Sequence, residues 1–298
     1  MKRIPGYLAI LVFAYFSGGC LEFKEQTMSY RYVSDTDEIR IFQDYRGIFG
    51  AEAKGNKGVP LTQDELGELD SVLDTQRTFF FANWIFEYHH EALATFREDI
   101  DKPEMSSVKP EDRPKMKKLV DLVLENFKVE NGTMYFDADK RLCATQRVTI
   151  SKVSEIFAQV NACTSAFIDE AIDESTSAAD RKAIKKFLED PDSVLIARDG
   201  NALVIRWPMS KATYEETHGV KSNKPAMVKE LADAGIGIKW ADDIVTYSIG
   251  KKDDTITTIT LDVSSRPYTD NVVAPLIERK RTIKESFDAK AAAKEFLK

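Results

Sequence analysis

Two Glu-x-x-His spacings are the features of this sequence that most resemble working chemistry: Glu87 with His90, and Glu215 with His218. Residues three apart on a helix share a face, so each pair would present a carboxylate beside an imidazole. Paired copies of this spacing, with a glutamate from each of two more helices, build carboxylate-bridged di-iron bundles. Glu87, His90, Glu215 and His218 are therefore the ligands that a metalloenzyme, or a hydrolase using carboxylates, would draw on. Against that use, Glu215 and His218 fall between Pro208 and Gly219, a segment too short for a bundle helix. Solvated carboxylates and histidines at a helix edge account for the same residues, so no metal and no cofactor is the expectation.

Other catalytic patterns fail on particular residues. The glycine-rich stretch from Gly50 to Gly58 follows a strand pattern and precedes a helix pattern, the context of a phosphate-cradling loop. Asn56 stands where that chemistry needs lysine, Lys57 comes one place late, and no serine or threonine follows to hold magnesium. A tight, glycine-permitted connection explains the stretch better. No Gly-x-Ser-x-Gly elbow or His-Glu-x-x-His motif occurs, and three histidines in the chain leave little base capacity near neutral pH. With 49 acidic and 42 basic residues the net charge is −7. No concentrated Lys/Arg face stands out, which excludes nucleic acid as a partner.

The elements that must position these residues follow from periodicity. Residues 28–33 and 38–42 alternate apolar and polar around Ser34, Asp35, Thr36 and Asp37, as a half-buried hairpin does. Thr62 and Glu65 form a capping box for a helix over 63–73. The aromatic stretch 79–88 joins Leu93 and Phe96 at helical spacing and is read as helix. Three prolines between 101 and 114 suggest a subdomain boundary. A helix is expected over 115–127, a hairpin turning at Asn131-Gly132, a strand over 142–150, a helix from Ser151 toward 172, and another over 178–188. Asp199-Gly200 marks a further hairpin, a short helix is expected over 226–234, and residues 244–249 and 255–263 form a pair around Lys251 to Asp254. A charged helix over 274–297 ends the chain. Hairpins interspersed with helices, without regular strand-helix-strand alternation, indicate an α+β fold in which antiparallel hairpins and sheet pack with several helices.

The N-terminus carries an address. Lys2 and Arg3 precede a nearly all-apolar run over 7–16, followed by Ser17-Gly18-Gly19-Cys20. At about ten residues the run is half of what spans a bilayer. This order resembles a bacterial lipoprotein signal, with Ser17 where that family usually has leucine. The resemblance implies removal of residues 1–19, a diacylglyceryl thioether on Cys20, and acylation of the new amino terminus by a chain such as palmitate. It also implies a lipid bilayer as partner through Cys20, and a place in the bacterial cell envelope facing the periplasm or exterior. Residues 20–24 would be a short tether and 25–298 the globular region. The stretch from Phe23 to Gly50, ending Asp44-Tyr45-Arg46-Gly47-Ile48-Phe49-Gly50, resembles that of uncharacterised bacterial envelope lipoproteins, a likeness over about a tenth of the chain that implies no activity.

In an exported protein Cys143 and Cys163 remain as an even pair where disulfides persist. A bridge between them would contribute roughly 3 kcal/mol in the chain-entropy picture; two small buried hydrophobes are the alternative. The function expected from these features is a noncatalytic binding module at the membrane surface, meeting a membrane- or wall-associated protein or an apolar ligand. The carboxylate/His enzyme is the alternative.

Overall fold

A computed structural model describes residues 21–51, 60–80, 86–102, 108–172, 176–218 and 231–298. The fold is α+β: antiparallel sheets with helices packed against them. The described residues fall into two compact units, each assembled from separated stretches of chain. One holds residues 21–51, 60–80, 86–93, 126–151 and 260–298, the other 94–102, 108–125, 152–172, 176–218 and 231–259. The chain therefore changes unit near 93 and 125 rather than between 101 and 114. Lys117 pairs with Asp101, and Arg113 donates to the Asp101 carbonyl, so contacts within one unit bridge the proline-rich stretch.

The first unit is built on a long hairpin, β1 (Leu21–Val33) against β2 (Glu38–Gly50). The alternation that predicts it holds, and pairing continues past the expected ends. Residues 21–24 of the expected tether 20–24 belong to β1, with 21–23 paired to 48–50, while Cys20 lies outside the described residues. β2 also runs to Gly50, the first residue of the glycine-rich stretch, of which residues 52–58 lie outside the described residues. The sheet is completed by β5 (Phe127–Phe136), β6 (Leu142–Ile150), β11 (Thr257–Asp262) and the two-residue β12 (Ile283–Lys284), in the order β11-β1-β2-β6-β5-β12. One face is covered by α1 (Gln63–Asp74) and by the small hairpin of β3 (Arg77–Phe80) and β4 (Phe86–His89). The opposite face carries α9 (Ala289–Phe296), whose Phe296 ring lies under the Arg147 guanidinium. The capping box of α1 forms as predicted, Thr62 accepting from the Glu65 N–H and Glu65 from the Thr62 N–H.

Several expectations give way to tertiary structure. The described part of the aromatic stretch 79–88 is not helix: it forms β3 and β4, and all four residues of β3 are buried. Asn131-Gly132 does not turn the chain, because β5 passes straight through it with a bulge between Asn131 and Met134. The Asn131 amide donates to the Val72 and Leu73 carbonyls at the end of α1. A Cβ at Gly132 would meet the Thr145 hydroxyl at 2.4 Å, so this glycine permits close approach rather than a turn. The turn comes at 137–141, where Asp137 accepts from the Asp139 and Arg141 N–H groups. The expected terminal helix is divided into α8 (Val273–Glu278), β12 and α9. Lys280 takes a left-handed φ of 57° that stops α8, and Asp288 caps α9 by accepting from the Ala291 N–H.

The second unit carries a four-stranded antiparallel sheet, β7 (Ile196–Asp199), β8 (Ala202–Pro208), β10 (Ile244–Ile249) and β9 (Ile236–Ala241), in that order. The β7–β8 hairpin turns at Gly200 as expected, with φ 61°. The partner expected for β10 does not pair with it: β10 meets β9 across Asp242 and Asp243, both at positive φ, while β11 joins the six-stranded sheet. α4 (Val153–Ala162) and α6 (Ala178–Glu189) lie against this sheet. The single helix expected from Ser151 breaks at Cys163 into α4 and α5 (Thr164–Ala171), where the Thr164 hydroxyl donates to the Asn161 carbonyl. α2 (His90–Asp99), α3 (Arg113–Asn126) and α7 (Lys211–Thr217) are the other helices bearing on the candidate residues. Most of the expected helix 226–234 lies outside the described residues.

Candidate functional site

Strand alternation sorts the polar side chains of the six-stranded sheet onto its two faces. On one face Asn131, Gln146 and Gln43 are direct cross-strand neighbours in β5, β6 and β2, and Gln26 of β1 joins them diagonally. This amide row holds the β3–β4 hairpin. Gln26, Gln43 and the Tyr45 hydroxyl all donate to the Phe79 carbonyl at 2.7–3.0 Å, and Gln146 donates to the Arg77 carbonyl at 2.9 Å. A buried strand whose carbonyls have such partners avoids the cost of unpaired backbone groups.

On the other face Tyr135, Cys143, Arg46 and Glu25 stand in register across four strands. Asp44, two residues before Arg46, accepts from the Tyr135 hydroxyl at 2.7 Å and from Arg46 Nε at 2.9 Å. Arg46 Nη1 lies 3.1 Å from Glu25. Asp44 is 3% exposed, so its charge depends on these two donors. Burial works against the Arg46 cation, but Asp44 and Glu25 outweigh it and raise its pKa. Burial and the Asp44 carboxylate raise that of Tyr135, and burial pushes the Cys143 thiol up to about 11.

Arg46 and Tyr135 of this row line a cleft of about 990 Å³ between the 137–141 turn and the 284–290 segment. The Phe287 ring packs on Tyr135, with centroids 5.4 Å apart, and Lys284 Nζ sits over the same ring. Lys140, Lys284 and Lys290 meet Asp139, Glu285 and Asp288 around the opening. Among the described residues neither histidine nor cysteine lines it, and its tyrosine is held protonated. The lining carboxylates and lysines give the cleft a polar, mixed-charge surface.

The predicted ligands occupy other places. Glu87 lies on β4 and pairs with Arg77, while His90 opens α2 with Nδ1 2.8 Å from the Tyr88 hydroxyl. The helical spacing assumed for that pair is therefore a strand-to-helix junction. Glu215 of α7 lies 3.9 Å from Lys211. His218, at the end of α7, is stacked on Tyr214 with centroids 5.3 Å apart. Among the described residues no three of His, Cys, Asp or Glu gather in an arrangement that could hold a metal ion. Cys143 of β6 and Cys163 at the end of α4 are both free and buried. Residues 52–59, within the stretch compared with a phosphate loop, lie outside the described residues, as does Cys20.

The environment of His218 fixes its protonation. The Thr217 hydroxyl donates to the Thr213 carbonyl at 2.7 Å, so its oxygen accepts from His218 Nδ1–H, also at 2.7 Å. Nε2 then accepts from the Tyr247 hydroxyl at 3.0 Å. Burial lowers the pKa of His218 from its ordinary 6.5. Below that ordinary value the unfolded chain takes up a proton that the folded chain does not, so stability must fall as pH drops until the folded pKa is reached. Urea midpoints should therefore decrease from pH 7 to pH 5, and His218→Gln should flatten part of that slope. An unchanged slope in the variant would remove His218 as its cause.

The sequence offered little sign of Asp44, Arg46 and Tyr135 as a group. Asp44 and Arg46 lie two apart in a strand and so share a face, but nothing local brings in Tyr135. Among the described residues no helix is long and apolar enough to cross a membrane. No family model matches this chain, and no match is found among curated proteins or among solved structures.

Proposed function

We propose that this is a lipid-anchored protein of the bacterial cell envelope, acylated at Cys20, which faces the periplasm or exterior and acts by binding. The observation that carries the reading is where the fold begins. Leu21, the residue after the acceptor cysteine, is already paired in β1, and its N–H donates to Glu68 Oε2 at 2.8 Å. A leash is therefore lacking between Cys20 and the folded body, and the binding surfaces stay close to the membrane. A diacylglyceryl group brings two chains, which stable anchoring takes. Binding is favoured over catalysis because the cleft presents fixed charges and a protonated tyrosine, with neither histidine nor thiol among the described residues that line it.

Mass spectrometry of the native N-terminal peptide tests the anchor. A peptide beginning at Cys20 and carrying diacylglyceryl mass is expected, and Cys20→Ser should move the protein from the membrane fraction to the soluble one. An intact Met1 end, or an unmodified Cys20 thiol, overturns the reading.

A further inference from the structure

We infer that the surface carrying Ile277 of α8, beside the start of β1, is the face this protein turns toward the lipid bilayer. The inference rests on acylation at Cys20 and deepens that reading by giving the anchored body an orientation. One residue of chain reaches only about 3.3–3.6 Å, and Leu21 is fixed at its backbone by Glu68 of α1. Any lipid on Cys20 must leave the protein within a few ångströms of that point.

α8 lies next to it. The Leu21 side chain packs against the buried cluster that contains Leu276 of α8 and Leu69 of α1. Arg279, just past α8, forms a two-pronged pair with Asp70 of α1, with Nη2 2.8 Å from Oδ2, and Arg281 pairs with Asp74. These pairs tie the end of α8 to α1 and neutralise two acids on this side of the molecule. With Leu276 turned into the core, Ile277 points outward at 62% exposure, and Ala274 one turn earlier is also exposed. Lys280 is exposed at the same end, where its long stem can keep the ammonium among headgroups while the isoleucine enters the apolar layer. Glu278 is the exposed acid between them.

A lone exposed isoleucine is ordinary on a soluble surface. What distinguishes Ile277 is that its helix shares a buried cluster with Leu21, the residue next to the acylated cysteine. Leu188, the other strongly exposed large hydrophobe among the described residues at 42%, belongs to the other unit.

The test is depth measurement on the full acylated protein in vesicles of phosphatidylethanolamine and phosphatidylglycerol. A nitroxide is attached to Ile277→Cys, or as control to Asp35→Cys in the exposed turn at the far end of β1, 13 residues and about 40 Å away. Cys143 and Cys163 are buried and the Cys20 thiol is blocked by its thioether. The ratio of oxygen to nickel-complex accessibility at Ile277 should exceed that at Asp35 several-fold. If the protein floats with the vesicles and both labels are equally water-exposed, the orientation is overturned while the anchor stands. If it does not float and its N-terminal peptide carries no acyl mass, the anchor reading falls and the orientation with it.

Discussion

Gln43→Ala is expected to destabilise the six-stranded sheet by about 3 kcal/mol, read as a lower urea midpoint for the unit that contains it. Gln43 is 0% exposed and sits at the centre of the amide row. It donates to the Phe79 carbonyl at 2.9 Å and toward the Thr78 hydroxyl at 3.2 Å, and it accepts from Gln26 at 2.7 Å. Alanine removes all three bonds and opens a cavity between the sheet and the β3–β4 hairpin. The Phe79 carbonyl keeps Gln26 and Tyr45 as donors, which is why the loss stays near the sum of a cavity and two or three net hydrogen bonds. Gln43→Met fills most of the volume without the bonds and should cost about half as much. A loss below about 0.5 kcal/mol for the alanine variant would show that the row does not hold the hairpin.

The amide row also marks where sequence reasoning reaches its limit. In the sequence Gln26, Gln43, Gln146 and Asn131 look like the polar positions of half-exposed strands, yet a second layer covers that face and all three glutamines are buried. Alternation identified the strands and not what lay over them. Local signals with a complete mechanism were legible: the Thr62 and Glu65 capping box, the apolar face of α3 and the positive φ at Gly200. Asn131-Gly132 misled because a turn and a bulge ask for the same small residue, and the bond from Asn131 to the end of α1 decides between them. Aromatic residues 79–88 misled because a buried strand and a buried helix segment have the same composition. The terminal helix was overextended although Asp288, three residues before Ala291, carried a readable cap. The cleft floor was illegible for a different reason. Tyr135 and Asp44 are 91 positions apart, and only the register of β5 on β6 and β6 on β2 puts them on one face.

Asp44→Ala should have a comparable effect from the opposite face, about 3 kcal/mol, because it removes a buried carboxylate from two donors rather than an exposed ion pair. Arg46 retains Glu25 at 3.1 Å, so its charge is not stranded, and this keeps the loss toward the low end for breaking a buried pair. Asp44→Asn should recover little. An amide oxygen can still accept from Tyr135, but the amide nitrogen then faces Arg46 Nε, donor against donor. Tyr135→Phe deletes one hydrogen bond to a charged group and should cost about 1.5–3 kcal/mol. The double variant separates a coupled cluster from two neighbouring effects. The Tyr135 to Asp44 bond can be lost only once, so Asp44→Ala with Tyr135→Phe should cost about 1 kcal/mol less than the two single losses together. Additivity within about 0.3 kcal/mol would mean that the hydroxyl and carboxylate do not act together. Coupling of the expected size would give the cleft a floor whose cation and phenol are held in place before any ligand arrives, so that little ordering cost is left to binding.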